Sequence, residues 1–212
     1  MPLNYRTKEP FLKASSKMLL GSLALIMVFV GLVVGDTFVT RYQAAAFLND
    51  VRALRPGKSS FEDLVRLRHN YERFSSVDDL ACNPKLCRVY FNFDNRWLYR
   101  LRVLPASGFG GGITVRDSLV DEVNLGLSTS SGYSAQVVDT SAPAAKAYTV
   151  SRRESTPGGT LIALKVHLTP AASDNLRQTA YSFNLACLTE WGGCKDARAM
   201  FSRGVNWQNL RP

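Results

Sequence analysis

Asp117, Asp121 and Glu122 lie close together in the chain, and paired carboxyls are what a glycosidase needs as general acid and general base. Turns between strands carry such acids for solubility alone, and the spacing fixes no separation between them. Ser128 offers a hydroxyl nucleophile and His167 an imidazole base, but the chain has no G-x-S-x-G or H-E-x-x-H arrangement to bring them together. His69 sits beside Arg68 and Asn70, and His167 shares strand parity with Lys165. Both are expected to be satisfied surface groups, because neither comes with an orienting carboxylate. Any hydrolase would have to assemble Asp117, Glu122, Ser128 or His167 from distant loops.

The four cysteines, Cys82, Cys87, Cys187 and Cys194, allow three pairings. Each local pair brackets a turn, Asn83-Pro84-Lys85-Leu86 in one case and Gly192-Gly193 in the other, so 82–87 with 187–194 is favoured over pairings that tie the two regions together. Zinc is disfavoured because the spacings fit neither C-x2-C nor a Cys/His pattern, and a catalytic redox role because no C-x-x-C occurs. No metal and no cofactor is expected. Gly108-Phe109-Gly110-Gly111-Gly112 lacks the Walker lysine and the dinucleotide fingerprint, and is expected to be a flexible connection between strands. Ser128 to Gly132 reads likewise as a polar loop.

The most suggestive feature is basic. Arg100, Arg102, Arg116, Arg152 and Lys165 fall on stretches expected to be strands, and with the right register they would make one patch for phosphate or carboxylate groups. The whole chain carries 26 Lys and Arg against 17 Asp and Glu, a net charge of +9. The anionic ligand expected for such a surface is an envelope lipid, with an envelope protein as the other partner. Nucleic acid is excluded as a partner by topology and by the lack of any binding motif.

Topology follows from residues 18–39. Met18 to Gly35 is uncharged and spans roughly 27 Å as a helix, against a hydrocarbon core of about 30 Å, and Phe38 and Val39 extend it. Arg6, Lys8, Lys13 and Lys17 precede it and Asp36 follows. The positive-inside rule therefore places the N-terminus in the cytoplasm and the rest of the chain outside, as a single-pass protein of the inner (cytoplasmic) membrane with a periplasmic or extracellular domain. A cleaved signal peptide is the competing reading; its sites, Val33-Val34-Gly35 and Ala44-Ala45-Ala46, are poor.

The elements that must position these residues are legible from periodicity. A helical stalk continues over 36–54, broken by Arg55-Pro56-Gly57. A helix over 59–73 starts on a Ser59/Glu62 capping box and shows Phe61, Leu64, Val65, Leu67 and Tyr71 on one face. Alternation then predicts a hairpin, Val89, Phe91 and Phe93 against Trp97, Tyr99, Leu101 and Val103, turning at Asp94-Asn95-Arg96. Further strands are expected at 112–117, 119–128, 133–139, 148–154 and 161–168. A helix follows over 170–188, a turn at Trp191-Gly192-Gly193, and a short helix over 195–202. The fold class is α+β: an N-terminal transmembrane helix, then an antiparallel sheet domain with flanking helices. Divided by role, 1–17 is a basic cytoplasmic tail, 18–39 the bilayer anchor, 40–58 stalk and turn, 59–203 the extracytoplasmic domain and 204–212 a tail.

Leu48 to Tyr71, with Gly57, Ser59 and Phe61 to Leu67 carrying the match, resembles the opening of outer-membrane assembly lipoprotein and beta-lactamase-inhibitor-like domains. The resemblance implies a helix started at a Gly-x-Ser/Thr turn and packed on an antiparallel sheet. The whole chain also looks like uncharacterised single-pass bacterial envelope proteins, a resemblance that implies no activity. The expected function is a membrane-anchored binding or scaffold protein of the envelope, not an enzyme, acting through its sheet face or a helix–sheet groove. The alternatives are the hydrolase above and an accessory subunit of a membrane complex.

Overall fold

The computed structural model describes residues 9–77, 82–95, 100, 106–156, 159–190 and 194–202. The chain forms two compact units, Met1–Asp36 and Thr37–Pro212. Helix α1 (Glu9–Ala53) begins in the first and ends in the second. Its apolar stretch is long enough to cross a membrane, and between Leu23 and Leu32 its large apolar side chains are exposed, as a lipid-facing surface would be.

The second unit is built on one seven-stranded sheet: β1 (Ser75–Val77), β2 (Leu86–Asp94), β3 (Ser107–Arg116), β4 (Leu119–Thr129), β5 (Ser134–Thr140), β6 (Tyr148–Glu154) and β7 (Leu161–Leu168). Their order is β1-β2-β3-β4-β5-β7-β6. All neighbours are antiparallel except β5 and β7, which run parallel because β6 returns at the edge beyond β7. The α+β class expected from the alternating runs is the observed one.

Every second residue of the central strands faces a helix-covered core. Val89, Phe91 and Phe93 on β2 meet Phe109 and Ile113 on β3, with Val123, Leu125 and Leu127 on β4, and all are essentially inaccessible. Residues 37–53 do not stand clear as a stalk. Ala44, Phe47, Leu48 and Val51 are buried, and the Phe47 ring lies 4.6 Å from Phe91 and 5.1 Å from Phe93. The last turns of α1 are therefore the central core helix, and their apolar residues recur at the three- and four-residue spacings that put them on one face.

Helix α2 (Phe61–Asn70) buries Leu64 and Leu67 beside it. Its capping box lies one residue later than expected: Ser60 Oγ accepts from the Asp63 N–H, and the Asp63 carboxylate accepts from the Ser60 N–H. Val65 is exposed, so the apolar face is narrower than the composition implied. Gly57, at φ +75°, makes the turn before α2.

The expected 170–188 helix is divided. Pro170 cannot continue a helix, so α3 (Asp174–Ala180) starts at its Ser173 cap. A 3-10 turn over Leu185–Leu188 follows, and another over Ala197–Met200. Two disulfides, Cys82–Cys87 and Cys187–Cys194, close the local loops. One buried ion pair lies under the sheet: Arg177 donates to the Asp139 carboxylate and to the Thr169 carbonyl. Burial pushes the Asp139 carboxyl up, while Arg177 opposes that shift, and burial likewise raises the adjacent Tyr181 phenol.

Further expectations are corrected. β2 pairs with β1 and with β3, the latter in register from Leu86↔Arg116 to Asp94↔Gly108. Arg100 is helical, while Trp97, Tyr99, Leu101, Arg102 and Val103 lie outside the described residues, as do Trp191-Gly192-Gly193 and the 204–212 tail. The glycine cluster is not a connection. Gly108 to Gly112 form the middle of β3, where the neighbouring strands approach too closely for a side chain. An added Cβ at Gly110 would stand 2.1 Å from the Phe91 carbonyl oxygen, and at Gly111 1.8 Å from that of Asn124. The Ser128–Gly132 loop is shorter than expected, because Ser128 and Thr129 belong to β4.

Candidate functional site

The face of the sheet opposite the core carries no described helix, and its residues follow from parity. On β2 it presents Arg88, Tyr90, Asn92 and Asp94, and on β3 Gly108, Gly110, Gly112 and Thr114. On β4 come Glu122, Asn124, Gly126 and Ser128, and on β5 Ser134, Gln136, the buried Val138 and Thr140. Because β3 contributes only glycines between its ends, the surface sinks along it. The result is a trough of about 480 Å³ with Tyr90, Asn92 and Asp94 on one wall and Asn124, Ser134 and Gln136 on the other. A second hollow of about 290 Å³ shares Asp94, Gly108 and Ser128 with it, so the depression continues along the strands to the end of the sheet.

Inside the trough the side chains are linked in pairs. Asn92 Nδ2 donates to Asp94 Oδ2 at 2.8 Å, and Gln136 Nε2 donates to Asn124 Oδ1 at 2.7 Å across the β4–β5 pair. Tyr90 is 39 % exposed, and its ring occupies the space above Gly112, within 3.2 Å of where a Cβ would be. The wall is thus an aromatic surface and several planar amide groups held by their neighbours. Among the described residues no arginine, lysine or histidine lines it.

The residues expected to do chemistry are scattered. Asp117 and Ser118 form the two-residue β3–β4 turn with φ +50° and +69°, the left-handed pair that such hairpins require. Ser118 is held there by its N–H bond to the Pro84 carbonyl. Asp121 accepts from Ser141 Oγ and pairs with Arg116 at 3.5 Å. Glu122 and Ser128 are both on the outer face but six residues apart on β4, roughly 20 Å along the strand. His167 lies on β7, where burial and Lys165 lower its pKa and Glu122 partly opposes them. His69 is exposed on α2. No nucleophile, base and orienting carboxylate meet among these residues, and no described cluster of three His, Cys, Asp or Glu could hold a metal.

The described basic residues are not gathered into one patch either. The β6–β7 register pairs Ser151 with Lys165 and Arg152 with Leu164, so Lys165 faces outward and Arg152 lies on the core side of the edge strand. Arg116 is outward, but it sits six residues along β3 from Gly110, the residue level with Lys165 across β4 and β5, again roughly 20 Å away. Arg100 is exposed in a helical residue, and Arg102 is outside the described residues. What sequence reasoning missed was the trough itself. Its signal was the alternation of Tyr90, Asn92 and Asp94 with buried aromatics, opposite a strand of alternate glycines.

No family model, no curated protein and no solved structure matches this chain.

Proposed function

We propose that the protein is a membrane-anchored, extracytoplasmic binding or scaffold protein of the bacterial envelope, and that it engages its ligand through the uncovered sheet face. The observation that carries this is the division of labour in the sheet: the hydrophobic core cluster is packed on one face, and the other holds a concave polar trough built from four strands. Rigid strands, not loops, set its walls, which suits recognition of a fixed shape. A single-pass arrangement with a cytoplasmic N-terminus is supported by the Arg6, Lys8, Lys13 and Lys17 flank, the long apolar helix and two disulfides that suit an oxidising compartment. Glu122 and His167 are close enough to interact, but Ser128 lies roughly 20 Å along β4 from Glu122 and Asp117 is in the β3–β4 turn, which weighs against the hydrolase reading.

The test is site-specific photocross-linking of the full-length protein in its native membrane, with the cross-linker at Gln136 on the outer face or at Val65 on α2. A reproducible adduct from Gln136 but not from Val65 is the expected result. Equal adducts from both positions, or none from Gln136, would overturn the assignment of the face.

A further inference from the structure

From the chemistry of the trough we infer that its ligand is a neutral oligosaccharide, stacked on Tyr90 and hydrogen-bonded by the Asn124–Gln136 pair; this rests on the outer face being the ligand-bearing one. Charge is the first discriminator. The chain carries +9 overall, yet among the described residues the lining of the trough holds one carboxylate, Asp94, and no cation; Lys165, beside Gln136 on β7, and Arg88, two residues from Tyr90 on β2, are on the same face but outside that lining. The lining suits an uncharged ligand rich in hydroxyls.

Hydrogen-bond valence is the second. With Gln136 Nε2 committed to Asn124 Oδ1, the pair offers the Asn124 amide N–H groups as donors beside the Gln136 carbonyl oxygen as an acceptor. Neighbouring hydroxyls on a pyranose ring each donate and accept, so they complement such a pair. On the opposite wall, the Asn92 amide carbonyl and the Asp94 carboxylate are acceptors for further hydroxyl protons. Tyr90 adds an apolar surface for the C–H face of a sugar ring, and the lack of a side chain at Gly112 leaves room for its ring to lie over β3.

Shape is the third. The trough and the adjoining hollow run along the strand direction, and the span from Tyr90 to Asp94 alone is roughly 14 Å. That is elongated for one ring and suits a short chain of them. An extended peptide is disfavoured by the same geometry. The floor belongs to interior strands β2 to β5, whose backbone groups are already paired, and strand addition needs an open edge.

The experiment is saturation-transfer NMR on the full-length protein in nanodiscs, with chitotetraose, cellotetraose and maltotetraose as probes and a neutral Gly-Ala hexapeptide beside them. Saturation of ring protons in at least one sugar is expected, with little in the peptide. Tyr90→Ala and Gln136→Ala should each weaken it about tenfold, the size of a lost aromatic or paired hydrogen-bond contact. Val65→Ala should leave it unchanged, and circular dichroism confirms that the variants are folded. No saturation of any sugar, saturation of the peptide instead, or saturation indifferent to both trough variants would overturn the inference. If Gln136 still cross-links a specific partner in the membrane while the sugars fail, the outer face remains the binding face and only the ligand class is wrong.

Discussion

The two faces of the sheet are made from alternate residues of the same strands, yet they obey different rules. On β2, Val89, Phe91 and Phe93 are locked among Phe47, Tyr71 and Phe109, while Tyr90, Asn92 and Asp94 line an open trough one residue away. Burial chooses the first set, since each aromatic contributes a large apolar area to a core that must offset chain entropy. Nothing about folding demands the second set. A solvated sheet face is usually filled with long charged or β-branched side chains, and here β3 supplies glycine at three successive outward positions, which costs stability. The contrast teaches that the inner face is fixed by packing, while on the outer face packing dictates Gly110, crowded by the Phe91 carbonyl, but not Tyr90, Asn92 or Asp94.

Breaking the inner face should have the largest effect. Phe47→Ala is expected to cost about 3 to 5 kcal/mol, because it empties the centre of the ring cluster, and chemical denaturation of the detergent-solubilised protein measures it. Gly111→Ala comes next, at about 1 to 3 kcal/mol from forcing β3 and β4 apart, read by the same denaturation and by hydrogen exchange in β4. Ser60→Ala should cost about 1 kcal/mol by removing the α2 cap. A weaker effect is a pH slope. The folded His167 has a pKa below its ordinary 6.5, so the unfolded chain takes up the proton first. Its contribution to stability is full above about pH 6.5 and declines as pH falls through that value, and His167→Gln should flatten this slope. The smallest change is expected for Asn124→Ala on the outer face, within about 0.5 kcal/mol. A large loss there would mean that the outer face is structural after all and would erase the contrast.

Much of the architecture was legible because it rests on local pattern. The switch from helical to alternating periodicity after Cys87 marks β2, and the Thr169-Pro170 stop ends β7, since proline cannot continue the ladder. What failed depended on distant partners. A glycine run reads as a loop unless one knows that Phe91 and Asn124 carbonyls crowd it from both sides. Register also parts the basic residues: one residue separates Ser151 from Arg152, and that residue puts Arg152 on the opposite face of the sheet from Lys165. The trough was invisible for the same reason, because Asn124 and Gln136 meet only once β4 and β5 are paired.

Helix α1 also has a temporal consequence. It is made first, and synthesis of the remaining chain takes on the order of ten seconds or more at ordinary elongation rates. Throughout that time Phe47 and its neighbours are a finished helical face without a sheet, exposed to whatever receives the nascent chain. The sheet domain therefore cannot complete its core before the helix that carries this face is in place. A soluble fragment trimmed after Ala46 would lack part of the core helix, including buried Thr37, Thr40 and Ala44, so fragments intended for crystallisation or ligand screening should begin no later than Thr37.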